Sequence, residues 1–261
     1  MEFVRLNKLG KICEVIVERE PVNALNEELV VELGEVFRKI EHDQDVRVVI
    51  LRSGLKVFVA GADIKMMETL QQNQETGRML NYVKKLQDTL NILENLPKPT
   101  IAYINGHAMG GGLELALACD FRVMVSGKAK IGLPEIRLGM NPGAGGTHRL
   151  TRLIGETKTK ELVYFGKSLT AEDAYKYGIV STVVAAENGL NEVYELAGGL
   201  AKQAPIALAG IKRCIQSAGQ STLGTGLEMD LLETAKAFTS NDAKIGFQAF
   251  LGKNEPVFAG K

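Results

Sequence analysis

Compact β-branched runs alternate with helical stripes along most of this chain, and that alternation restricts it to a layered α/β fold. Val4, Leu6, Ile12, Val15 and Val17 sit in two short runs broken by Gly10-Lys11, which predicts paired strands. Leu29, Val30, Leu33, Val36, Phe37 and Ile40 then recur at three- and four-residue steps, one face of a helix, with Asn26 placed to cap it. An apolar strand is predicted over 46–51. The pattern repeats: Met79, Val83, Leu86, Leu90 and Leu93 make a second stripe, Pro97-Lys98-Pro99 stops it, and 100–104 reads as a buried strand. A short helix (113–118), a strand (121–125), helical segments (149–154, 160–165, 171–177) and a last strand (179–184) follow. From about Asn188 strands give way to helices near Pro205, Leu227 and Phe247. The predicted organisation is an α/β core over 1–190 and a helical region over 191–261, suited to packing on a neighbouring subunit.

Composition excludes several classes. The 31 lysines and arginines balance 31 aspartates and glutamates, so no global field draws the chain to nucleic acid or to an anionic membrane. Cys13, Cys119 and Cys214 are an odd, scattered set with no Cys-x-x-Cys spacing, which argues against a disulfide framework or a zinc site. No His-x-x-x-His pair accompanies His42, His107 or His148, so no metal is expected. The first eight residues alternate polar and apolar rather than forming a secretory h-region, and no apolar run reaches membrane-spanning length. A cytoplasmic location is the resulting expectation.

Two glutamates beside glycine-rich turns carry the chemistry. Glu114 ends Gly110-Gly111-Gly112-Leu113-Glu114, where a strand gives way to a helix. Glycines there admit either a ligand against the main chain or a close helix–strand contact. The first turn of a helix offers free N–H groups to a developing oxyanion. Glu135 follows Pro134 and precedes Pro142-Gly143-Ala144-Gly145-Gly146, a second backbone cradle at a helix start or a plain loop. A third small-residue turn, Ala60-Gly61-Ala62-Asp63, offers a second amide for the same oxyanion or is simply a turn. Two carboxylates next to such amides suit proton movement beside a carbonyl. No Gly-x-Ser-x-Gly elbow, Walker loop or dinucleotide fingerprint is present.

Taken in order, these segments resemble one family. Lys56-x-Phe58-x-Ala60-Gly61-Ala62-Asp63-Ile64-Lys65, Asn105-Gly106-x-Ala108-x-Gly110-Gly111-Gly112-x-Glu114, Gly132-x-Pro134-Glu135-Ile136 and Pro142-Gly143-Ala144-Gly145-Gly146-Thr147-x-Arg149-Leu150 are similar to the motifs of the crotonase superfamily, and within it to enoyl-CoA hydratases. The likeness runs from Asn23-Ala24-Leu25-Asn26 to Lys253-x-x-Pro256-x-Phe258. It departs at His148, where glutamine is common, at Asn254, where arginine is common, and by one extra residue between Asp120 and Glu135. These departures bear on the acyl pocket and the particular substrate.

The resemblance implies a spiral of repeated ββα units with a C-terminal helical trimerisation region, assembled as a trimer or a dimer of trimers. It implies an acyl-CoA thioester substrate, with coenzyme A part of that substrate and no separate cofactor. It implies hydration of 2-trans-enoyl-CoA to 3-hydroxyacyl-CoA by Glu114 and Glu135. The amides of Ala62 and Gly111 would form the oxyanion hole, and Gly143 would help hold the water. Ala60, Asp63, Ile64, Lys65, Lys56 and Lys253 would contact CoA and substrate. Related activities implied by the same likeness are an enoyl-CoA isomerase, a branched-chain or methylglutaconyl-CoA hydratase and, more distantly, an RNA-binding relative. Glutamate at both positions favours hydration, because adding water needs a base for oxygen and an acid for carbon, whereas a single carboxylate can shuttle a proton.

Overall fold

A computed structural model of the protein describes residues 1–261. Strands β1 (Val4–Leu9) and β2 (Ile12–Val17) pair antiparallel across a turn in which Gly10 adopts φ +61°. Helix α1 (Glu27–His42) follows, with the Asn26 side chain accepting the Leu29 N–H and glutamates at 27 and 28 in its first turn. That is favourable capping and dipole chemistry. Its predicted face, Leu29 to Ile40, is buried. The helix returns the chain to β3 (Val48–Ser53), parallel to β2.

Each later excursion adds one parallel strand to the same sheet. Helices α2 (Ile64–Gln72) and α3 (Thr76–Glu94) lead to β4 (Thr100–Ile104), and β5 (Ala108–Met109) with α4 (Gly111–Leu117) leads to β6 (Phe121–Val125). Then come β7 (Ile131–Gly132), a 3-10 turn (Glu135–Leu138), α5 (Gly146–Ile154), α6 (Glu156–Tyr164), β8 (Ser168–Leu169) and α7 (Ala171–Tyr177), before β9 (Thr182–Val184) pairs with β6. The large sheet runs β1-β2-β3-β4-β6-β9, and β5, β7 and β8 form a small second sheet. Every residue of β4 is buried, and of β3 only Arg52 is not fully so, which explains their unbroken apolar character.

Some elements differ from the sequence expectation. The last strand is shorter, because Gly178 closes α7 in the left-handed region and Ile179 and Val180 are buried ahead of the pairing. Helix α2 buries only Leu70, so it leaves no stripe to read. The strands of the small sheet have two residues each, too few for a period.

Four helices end the chain: α8 (Gly189–Ala201), α9 (Pro205–Ala218), α10 (Leu223–Phe238) and α11 (Asn241–Gly252). Helix α8 packs on the sheet through Val193 and Ala197, and Ala197 is the last residue of the single 51-residue core. Helices α9 to α11 add nothing to that core. They expose Ile215, Leu231 and Phe250 at 69%, 72% and 83%. Polar clamps tie them down: Lys212 Nζ reaches Asp120 Oδ2 at 2.9 Å, and Arg47 donates to the Phe258 carbonyl beyond α11 as well as to Ala201 at the end of α8. No helix is long and apolar enough to cross a membrane.

Candidate active site

Two turns bring free amides together. Asn23, fully buried at φ +54°, donates from its side chain to Ser53 Oγ and to the Val57 and Phe58 carbonyls, anchoring the segment that leads to residues 60–62. The Leu25 N–H donates to the Gly61 carbonyl at 2.7 Å and the Asp63 N–H donates to the Leu25 carbonyl at 2.9 Å. Peptides on both sides of Ala62 are therefore pinned, while the Ala62 N–H makes no bond within the protein. Tyr82, on the buried face of α3, donates its hydroxyl to the same Leu25 carbonyl at 2.8 Å. Gly111 opens α4, where first-turn amides lack intrahelical acceptors. A Cβ placed on Gly111 would lie 3.8 Å from the Ala62 nitrogen, so the two amides are neighbours.

The three glycines before Glu114 serve different ends, and both readings of that run hold. A Cβ on Gly112 would come within 2.1 Å of the Val59 carbonyl oxygen, a tight helix–strand contact. A Cβ on Gly110, which sits at φ +51°, would come within 2.7 Å of Glu135 Oε1. Gly111 lines the cavity.

Glu114 is 2% exposed, in the first turn of α4. Its Oε1 accepts the N–H groups of Ala144 and Gly146, each at 2.8 Å. Burial raises its pKa, opposed by those two amides and by the charge of Arg149. Glu135 begins the 3-10 turn, and its Oε2 is buried without a partner. Burial pushes its carboxyl up to about 7, against a bond from its own backbone N–H, and Glu114 adds to the rise. One carboxylate is thus fixed by two donors, while the other keeps one oxygen without a partner and sits near neutrality. Such separated environments mark an acid and a base.

Both carboxylates line one cavity of about 140 Å³, together with Ala60, Ala62, Ile64, Gly111 and Gly143. Its apolar wall is Met67, Tyr82, Val83, Leu86, Leu138 and Met140. Other predicted site residues lie outside it. Asp63 caps α2 by accepting the Met66 N–H and pairs with Arg19 at 3.0 Å. Lys65 borders a shallow surface hollow with Arg19 and Arg78. Lys56 is exposed, and Lys253 is the exposed residue closing α11. His107 and His148 are exposed and border no part of the cavity. No cluster of three His, Cys, Asp or Glu side chains is arranged to hold a metal ion. A larger apolar hollow of about 960 Å³ between α9, α10 and α11 contains none of the predicted residues. Its only carboxylates are Asp230, Glu233 and Asp242, and two of these are already engaged: Glu233 by Arg213 and Lys236, Asp242 by backbone amides. Sequence reasoning missed Tyr82; its one signal was a polar-tipped residue inside the apolar stripe of α3.

Comparison with known proteins shows the family. The family model for enoyl-CoA hydratase/isomerase matches residues 8–261. A short-chain-enoyl-CoA hydratase of Clostridium acetobutylicum is 37% identical over 254 residues, covering 97% of this chain and 95% of the relative. A crotonyl-CoA hydratase of Syntrophomonas wolfei is 35% identical over 264 residues, covering 100% and 99%. The crystal structure of an enoyl-CoA hydratase from Bacillus anthracis superposes with a TM-score of 0.94 at 36% identity, covering all of both chains. The fold is therefore the crotonase fold, α/β with C-terminal helices. The chain belongs to the enoyl-CoA hydratase/isomerase family, whose members act on acyl-CoA thioesters.

Proposed function

We propose that this protein hydrates a short-chain 2-trans-enoyl-CoA to the 3-hydroxyacyl-CoA. The observation that carries the reading is the meeting of Glu114, Glu135 and the amides of Ala62 and Gly111 around one small cavity. The thioester oxygen accepts from the two amides, which favours the enolate formed when C3 is attacked. Ionised Glu114, held at Oε1, takes a proton from a water that also meets the Gly143 amide. That water adds to C3. Glu135, protonated, gives its proton to C2. Atoms and charge balance over the cycle once the proton on Glu114 is returned to Glu135 by solvent, and no redox cofactor is needed.

Cavity size and relatives support the short chain. About 140 Å³ of apolar-walled space suits a few carbons beyond the thioester. The two relatives described above are named for short-chain-enoyl-CoA and crotonyl-CoA. CoA itself would run outward past Ala60 and Ile64 toward Lys56, Lys65 and the Arg19–Asp63 pair. Lys253 lies on the C-terminal helices and would meet CoA only across a subunit contact. The exposed apolar faces of α9 to α11 support a homo-oligomer, a trimer or a dimer of trimers.

The test follows the conjugated thioester absorbance. Hydration of crotonyl-CoA removes the conjugation and lowers the signal, with the 3-hydroxy product identified by mass. An isomerase given a 3-enoyl-CoA would raise it instead. Rapid loss with crotonyl-CoA, slower loss with a ten-carbon enoyl-CoA and little signal from 3-enoyl-CoA is the expected pattern. A protein that acts only on 3-enoyl-CoA is not the hydratase proposed.

A further inference from the structure

Glu114 depends on the peptide groups of residues 143–146, and those peptides are themselves held from behind. Gln87, on α3, donates its side-chain amide to the Gly143 carbonyl at 2.8 Å. That carbonyl and the Ala144 N–H belong to one peptide plane, and the Ala144 N–H donates to Glu114 Oε1 at 2.8 Å. The next peptide is held too, since Arg149 Nη1 donates to the Ala144 carbonyl at 2.8 Å. Arg149 is fixed in turn by Glu94, at 2.9 and 2.7 Å, and by Asn91 at 2.9 Å, both at the end of α3. Gln87 is half-buried and does not line the catalytic cavity. It lines a separate polar hollow of about 420 Å³ on the other side of the loop, along with Arg149 and His148.

We propose that Gln87 is a positioning residue for Glu114: its amide orients and polarises the 143–144 peptide so that the Ala144 N–H holds the carboxylate facing the water. This deepens the hydratase reading and rests on it. The physical basis is cooperativity along a hydrogen-bond chain, in which a donor on a carbonyl strengthens the N–H across the same peptide. A rotation of that one plane would withdraw the Ala144 donor from Glu114. No other side chain donates to the Gly143 carbonyl, so the duty falls on a single residue.

The test uses the intact protein with Gln87→Met, which keeps the length and removes the donor, Gln87→Glu, which puts an acceptor against an acceptor, and Glu114→Gln in parallel. Gln87→Met should lower kcat about tenfold, the effect of one neutral hydrogen bond, with KM within about twofold because no substrate contact is lost. The acidic limb of the kcat profile should move to higher pH, since a Glu114 with a weaker donor ionises less readily. Gln87→Glu should be worse than Gln87→Met at neutral pH and recover toward it in acid, as its carboxyl regains a proton to donate. A purely structural role would lower the melting temperature or raise KM without moving the limb. If Glu114→Gln abolishes turnover while Gln87→Met keeps wild-type kcat and an unmoved limb, the positioning role is wrong and the hydratase reading stands. If Glu114→Gln is fully active, the hydratase reading itself has failed and this inference with it.

Discussion

At the residue scale, two glutamates sit in opposite circumstances. Glu114 has two amides on one oxygen, and Glu135 has a buried oxygen with nothing to bind. Hydration needs the first ionised and the second protonated. With Glu135 at about 7, kcat/KM for enoyl-CoA should fall as pH rises through neutrality and fall again in acid as Glu114 takes up a proton, giving a bell in the pH–rate profile. The same burial has a stability consequence. The folded-state pKa of Glu135 lies above its ordinary value of 4.5, so its contribution is fully present below that value and is lost as pH rises through about 7. Glu135→Gln should therefore be more stable than the parent at pH 8, on the order of 2 kcal/mol after allowance for partial exposure. The gap should close toward pH 4.5. Thermal unfolding at the two pH values measures it; a variant no more stable than the parent at pH 8 would count against the buried, unpaired carboxyl.

At the element scale, glycine positions separate packing from chemistry. Gly112→Ala sets a Cβ 2.1 Å from the Val59 carbonyl oxygen, with no side chain able to yield. It should destabilise by roughly 2–3 kcal/mol or more through overpacking, read as a lowered melting temperature. Gly199→Ala in α8, where a Cβ meets nothing within 4 Å, should be neutral or slightly stabilising. Much of this level was legible in the sequence. The stripe of α1, the strands β3 and β4, the stop at Gly178 and the proline at the start of α9 follow from local periodicity and turn chemistry. Both carboxylates and the cradle at 142–146 were legible because ordered glycine motifs sit beside them. Tyr82 and Gln87 were not. Their roles arise when α3 is laid across two loops far away in sequence, and a tyrosine or glutamine in an amphipathic helix carries no mark of a distant carbonyl. Helix α2 and the small sheet were hidden for a different reason, being too shallowly buried or too short to leave a period.

At the scale of the whole molecule, the chain divides its labour. The core ends at Ala197, and α9 to α11 keep large apolar side chains in solvent. Such faces support a larger assembly, so light scattering should give a mass three or six times that of one 28.3 kDa chain. Phe250→Asp, at a position 83% exposed, should shift that mass downward while leaving the sheet core folded. A parent protein that is monomeric at micromolar concentration would remove the assembly and the place given to Lys253. The most direct test of the central claim is turnover of crotonyl-CoA by Glu114→Gln and Glu135→Gln beside the parent, with thioester affinity measured on the same preparations. Each variant should lose at least ~10²-fold in kcat while binding stays within a few-fold of the parent. Normal turnover by both variants would contradict it.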